Sequence, residues 1–211
     1  MKKNNMEETK IFLIRHGETE WNSQKRMQGH LNSDLSKVGR NQIKELGEWM
    51  KKVSFDHIYS SDSMRAELTA KSITNYTEHL LKYDIRIREK NLGVFEGLTS
   101  DEAKGKYPEM FKLFKNAGKN YVIENGESTQ QLLDRSLEFI EDIRVRHSGQ
   151  SVVIVTHGGV VRVLLKHILG IPLDTPTNFH IKNTGIFEII WNGNWEVSQM
   201  GKVSHLEKLN L

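Results

Sequence analysis

Two apolar runs constrain this chain more than anything else in it, because both break off abruptly in a histidine and a glycine. Ile11-Phe12-Leu13-Ile14 runs into Arg15-His16-Gly17, and Ser151-Val152-Val153-Ile154-Val155-Thr156 runs into His157-Gly158-Gly159. A continuous apolar run of this length reads as a strand covered on both faces, as in a parallel sheet with helices above and below. The first run continues Arg15-His16-Gly17-Glu18, a tetrapeptide that chance would place in on the order of one chain in a thousand of this length. Its position directly after a strand argues for purpose.

Four more strands are expected, at Asp56–Tyr59, Asp84–Arg88, Gly185–Trp191 and Trp195–Met200. The last two flank Asn192-Gly193-Asn194, a hairpin turn signal. Helical patterns lie between the first four strands. Ser36 is placed to cap Lys37–Lys52, Asp62 to cap Ser63–Tyr76, and Ser128 with Gln131 has the capping-box spacing ahead of Leu132, Leu133, Leu137, Ile140 and Ile143. Val160–Leu169 is an apolar helix that stops at Gly170 and Pro172. This alternation predicts an α/β three-layer sandwich, with a mostly parallel central sheet and helices on both faces. Ser100–Asn125, with Pro108, Phe111 and Phe114, reads as a helical or loop insertion over the sheet edge. The expected domain is one, spanning 1–211, with the insertion at approximately 94–125.

Composition narrows the function classes. Thirty basic and 27 acidic residues leave a net charge of +3, too even a balance for a nucleic-acid-binding face. The absence of cysteine excludes disulfides, thiolate-bound zinc and a thiol nucleophile. No apolar run approaches the ~20 residues of a membrane span, and Met1–Glu8 has lysines with no apolar stretch behind them. The expectation is a cytoplasmic enzyme without membrane or nucleic-acid partners, with Met1–Asn5 as a disordered tail if Met6 is the start. The remaining histidines show no metal-binding spacing.

Each of the first four strands is followed by polar residues suited to an oxyanion. They supply Arg15-His16-Gly17, Ser60-Ser61-Asp62-Ser63-Met64-Arg65, Glu89, and His157-Gly158-Gly159. In an open α/β sheet, ligands bind outside the carboxyl ends of the strands. Two histidines, two arginines and a carboxylate would therefore meet at one rim. Arginine forks suit phosphate oxygens, Asn22 adds a donor, and an imidazole can carry a phosphoryl group. His16 is the better nucleophile, since Arg15 and Gly17 flank it. His157 faces the transferring group, and Glu89 protonates the leaving alkoxide and then activates water. Glu96 and Glu18 are the alternative acids. With cationic side chains neutralising the phosphate, the site calls for no metal and no cofactor. Gly158-Gly159 either cradles an anion at a helix start or merely permits a tight turn.

These motifs resemble the histidine phosphatase superfamily, the branch of cofactor-dependent phosphoglycerate mutases and small bacterial phosphatases. The resemblance spans nearly the whole chain. It rests on Arg15–Thr19 with Trp21-Asn22, on Tyr59–Ala70, on Glu89 ahead of Leu92–Gly97, and on Thr156–Gly159. It implies that His16 is phosphorylated, that Arg15, Arg65 and His157 form the phosphate pocket, and that Glu89 donates the proton. Asn22 then contacts phosphate, Gln28-Gly29 belongs to the loop beside the pocket, and Gly158 joins the substrate-binding set. The family's mutases are typically longer and carry an arginine pair in the insertion. Here Ala103–Asn125 has five lysines and no arginine. That favours a metal-independent phosphomonoesterase acting on small phosphorylated metabolites. A 2,3-bisphosphoglycerate-dependent mutase and a non-catalytic phospho-ligand-binding protein are the alternatives. The substrate itself is not legible, and the edge hairpin leaves a homodimer open.

Overall fold

A computed structural model describes residues 8–209, so the expected tail at Met1–Asn5 lies outside the described residues. Six strands form one mixed sheet in the order β3-β2-β4-β1-β5-β6. They are β1 (Thr9–Arg15), β2 (His57–Ser60), β3 (Leu81–Tyr83), β4 (Ser151–Thr156), β5 (Ile186–Trp191) and β6 (Trp195–Lys202). β1 to β4 run parallel to one another, and β5 and β6 add an antiparallel hairpin beside β1. The two apolar runs sit side by side at the centre, with Ile11 opposite Val152 and Arg15 opposite Thr156.

Strand periodicity then builds the layers. Ile11, Leu13, Val152 and Ile154 point to one face, where they pack against α6 (Thr129–Arg146) and α7 (Gly158–Ile168). Phe12, Ile14, Val153 and Val155 point to the other, against α2 (Lys37–Met50) and α3 (Met64–Thr77). Both faces are dry, which is why these strands carry no alternating polar residues. Trp191 and Trp195 close the hairpin edge-to-face with ring centroids 5.4 Å apart.

The helix starts follow the capping chemistry in most places. Ser36 accepts from the Gly39 amide, and Ser128 and Gln131 make the reciprocal capping box. Two expectations are overturned. Asp62 caps nothing: its carboxylate is paired with the Arg88 guanidinium, and Ser63 stands at the N-cap of α3 without a side-chain bond. Asp84–Arg88 is not a strand either. The Asp84 side chain accepts from the Arg86 amide and turns Ile85–Ile87 into a single 3-10 turn, while the strand lies earlier, at Leu81–Tyr83.

The insertion is helical. In the stretch expected as the insertion, α4 (Ser100–Lys106) and α5 (Pro108–Asn116) follow the Glu89 segment. They enclose a satellite core around Phe95, Ala103 and Ile123, with Phe111 and Phe114 against Phe95 at 5.9 and 5.4 Å between centroids. Apart from it, a short turn of helix, α1 (Glu20–Ser23), follows β1. Among the described residues no helix is long and apolar enough to cross a membrane.

Candidate active site

The carboxyl ends of β1, β2 and β4 deliver their residues to one place. Arg15, His16, Asn22, Gln28, Gly29, Arg65 and Glu89 line a cavity of about 110 Å³ together with Arg26 and Leu92. The His157 ring lies 5.2 Å from the His16 ring, centroid to centroid. All the expected residues except Gly158 therefore line this cavity or stand beside it. Gly158 instead backs the Arg15 guanidinium, at 3.5 Å from where a Cβ would sit to Nε.

His16 is buried, and its Nδ1 lies 2.7 Å from the Gly17 carbonyl oxygen. A carbonyl can only accept, so Nδ1 carries the proton and Nε2 keeps its lone pair. Burial, reinforced by the Arg65 and Arg15 charges, holds this imidazole well below its usual pKa. The ring is thus neutral at neutral pH. His157 is held neutral in the same way, mainly by burial, and its Nε2 meets Ser61 Oγ at 2.9 Å. Its Nδ1 has no partner.

Arg65 commits both terminal nitrogens to carbonyls, and Arg15 one of its two. Arg15 donates from Nη1 to Ile181, and Arg65 from Nη1 to Leu31 and from Nη2 to Gly29. Both Nε atoms are buried and unpartnered, as is Gln28 Oε1. Burial lowers the pKa of both, that of Arg65 to about 10, with Glu89 partly opposing. A guanidinium this far from water is destabilised until an anion approaches it. The two orphaned Nε donors belong to residues that line one small cavity, an arrangement suited to an anion.

Glu89 reaches the cavity from the segment after the 3-10 turn. One carboxylate oxygen accepts from the Lys90 amide at 2.8 Å and the other from Gly159 at 3.0 Å, the second residue of α7. Gly159 is needed here: a Cβ would lie 2.0 Å from Glu89 Oε1. Arg135 clamps the segment from below, donating to the carbonyls of Arg86, Arg88 and Glu89 at 2.6, 2.7 and 2.9 Å. The alternative acids are occupied elsewhere. Glu18 accepts from Ser36, and Glu96 accepts from the His30, Leu31 and Leu92 amides. Glu96 thereby shapes the loop at Gly29, whose φ of +54° and close approach to that carboxylate leave no room for a side chain.

Asn22 Oδ1 accepts from the Thr19 amide and from Asn183 Nδ2, which also donates to the His16 carbonyl at 2.9 Å. Asn183 and Arg135 escaped the sequence reading because nothing local marks them. Arg26 had a signal, lying one helical turn beyond Asn22 in the same connection.

A model of the histidine phosphatase superfamily (branch 1) matches residues 11–202. The chain belongs to this superfamily. A relative, phosphoglycerate mutase-like protein 4 of Arabidopsis thaliana, is 36% identical over 203 residues, 94% of this chain and 87% of the relative. Among solved structures, YhfR of Bacillus stearothermophilus superposes with a TM-score of 0.85 at 35% identity, covering 94% of this chain and 99% of that one. A mutant phosphoserine phosphatase of Entamoeba histolytica in complex with phosphoserine gives 0.83 at 28% identity, covering 94% and 99%. The α/β fold of the histidine phosphatases is therefore this chain's fold, and a phosphoryl-handling enzyme is the superfamily's expectation for it.

Proposed function

We propose that the protein is a phosphomonoesterase that works through a phosphohistidine at His16, without a metal. The observation that carries this reading is the tautomer of His16. Its bond to the Gly17 carbonyl leaves Nε2 as a bare nucleophile, in a cavity with room for a phosphoryl group and buried guanidiniums to receive it.

The steps follow from the placement. Arg15 and Arg65 draw in the phosphate through Nε, and Asn22 adds an amide donor. Nε2 of His16 forms the bond to phosphorus while the bond to the leaving oxygen breaks, and that oxygen receives a proton from Glu89. The guanidiniums hold the charge on the equatorial oxygens, with His157 beside them. Water then attacks the phosphohistidine, gives its proton to Glu89, and releases phosphate as the P–N bond breaks. Among the described residues Glu89 is the only carboxylate lining this cavity, which supports it in both proton transfers.

The names of the relatives include both mutases and phosphatases. Two features favour hydrolysis. The insertion offers lysines rather than an arginine pair for a substrate carboxylate. Glu89 and Leu92 also border a second, open cavity of about 610 Å³, which admits water to the phosphohistidine. The test is a panel of phosphomonoesters run with and without chelator, beside His16→Ala. The expected result is chelator-insensitive release of phosphate, an acid-labile phosphoenzyme, and loss of both in His16→Ala. Full turnover by His16→Ala sinks the mechanism, and interconversion of phosphoglycerates far above hydrolysis sinks the choice of reaction.

A further inference from the structure

The phosphate cavity is small, and what lies past Glu89 is large. The neighbouring cavity of about 610 Å³ shares Glu89 and Leu92 with it, and falls in the ~300–1,000 Å³ range of small-molecule sites. In an in-line displacement the leaving oxygen departs away from His16 toward the group that protonates it. The organic part of the ester therefore lies in this second cavity, a placement that rests on the function proposed above.

Its walls are of two kinds. Leu92, Phe114, Leu132, Val163 and Leu173 make it apolar, and four cations, Lys90, Lys115, Arg162 and Lys166, stand among them. Against these there are two carboxylates, Glu89 and Asp174, and Glu89 is held by amides. The cations are not equivalent. Lys166 is consumed in pinning the loop that follows α7, donating to the carbonyls of Leu173 and Thr175 at 2.7 and 2.6 Å. Lys90 donates to Thr129 Oγ1, and both Lys90 and Lys115 lie over the Phe114 ring, at 5.5 and 5.6 Å. Arg162 has one long hydrogen bond, 3.5 Å to the Phe179 carbonyl, and none of the ion pairs among the described residues includes it. It sits on α7 one turn beyond Gly159, whose amide holds Glu89. A forked donor on a rigid helix, in an apolar cavity with an excess of positive charge, is built to receive a second anionic group.

We propose that the substrate is a phosphomonoester whose leaving group combines a carbon-rich body with a second anion, and that Arg162 is the residue that recognises this anion. The body packs on Phe114, Leu132 and Val163, and the anion, a carboxylate or a further phosphate, pairs with the Arg162 fork. Lys90 and Lys115 supply the surrounding positive field.

Calorimetry with the His16→Ala protein, which separates binding from turnover, tests this with two probes: 4-carboxyphenyl phosphate and phenyl phosphate. The carboxylated probe is expected to bind on the order of tenfold to a hundredfold more tightly, the span of a charge-assisted hydrogen bond. Adding Arg162→Gln should erase that advantage, and Arg162→Lys should restore part of it, with thermal melts confirming that each variant folds. Equal binding of the two probes, or an advantage that survives Arg162→Gln, overturns the proposal. Turnover by the wild-type protein separates the two readings. Preferential binding without hydrolysis of either probe keeps the anion site and removes the phosphatase; hydrolysis of both probes with equal affinity removes the anion site and keeps the phosphatase.

Discussion

Replacing Arg135 with methionine tests how Glu89 is held. The guanidinium donates to three consecutive-turn carbonyls, those of Arg86, Arg88 and Glu89, and forks onto the Glu127 carboxylate through Nε and Nη2 at 3.0 and 2.6 Å. Methionine fills much of the same space but satisfies none of these acceptors. Glu127 keeps its bond from the Asn91 amide, and the Glu89 carbonyl keeps His30. Water reaches the remainder in part, so the loss sits near the low end for a broken charged network, about 3 kcal/mol. For a domain of this size that is a fall in Tm of roughly 6–12 °C. The more discriminating readout is kinetic. If the clamp serves to place a proton donor, its loss matters most where the leaving oxygen needs a proton. An alkyl phosphate should lose roughly 10- to 100-fold in kcat/KM. 4-Nitrophenyl phosphate, whose phenolate departs unaided, should lose only a few-fold. Arg135→Lys should fall between, keeping the charge without the fork. Equal losses for both esters would show that Arg135 is a fold staple with no bearing on Glu89. An unchanged Tm would refute the energetic reasoning as well.

Three further outcomes are expected. Gly159→Ala puts a methyl where Glu89 Oε1 now lies, so the carboxylate must swing off its amide; alkyl-phosphate turnover should drop about tenfold or more with Tm nearly unchanged, and a normal rate would mean the amide bond is dispensable. His16, His157 and His205 are held neutral by burial, His205 with a pKa of about 4, whereas each takes a proton near pH ~6.5 once unfolded. The unfolded chain therefore binds more protons below that pH, so stability is fully present above ~6.5 and falls as the pH drops toward ~4. Urea unfolding across this window should show that decline, and His205→Gln should make it shallower; a flat profile between pH 6.5 and 5 contradicts the assignment. Phe95→Ala empties the centre of the satellite core and should cost about 3–5 kcal/mol, measured by urea denaturation, and a cost below 1 kcal/mol would mean the insertion does not pack on it.

The fold and the chemistry were legible to different depths. β1 and β4 could be read outright because burial on both faces leaves an uninterrupted apolar string, and the residues following them inherit their position from the sheet. The Ser128–Gln131 capping box was readable because both partners lie within four residues. Asp84–Arg88 misled because Ile85 and Ile87 alternate as strand residues do, yet a local Asp84–Arg86 contact wins and buries only Ile87, leaving Ile85 64% exposed. Asp62 misled for the opposite reason: a distant partner, Arg88, outbid the local cap. Within the site, His16, Arg65, His157 and Glu89 announce themselves by motif. Asn183 and Arg135 do not, since each meets the catalytic segments through backbone carbonyls that only the tertiary fold brings to it.

The sheet order also bears on how the protein comes to be active. β1 carries His16, yet both its neighbours, β4 and β5, belong to the last third of the chain. Asn183 bonds the His16 carbonyl across 167 residues. During synthesis at ~5–20 residues per second, an apolar strand with two open edges thus waits roughly 10–30 s for partners. Long-range pairing of this kind is slow and leaves the nascent strand open to mispairing. It also means that no shorter intermediate can present the nucleophile in place. Regain of activity on refolding will therefore report completion of the sheet, because the centre of the sheet and the competent histidine form in the same event.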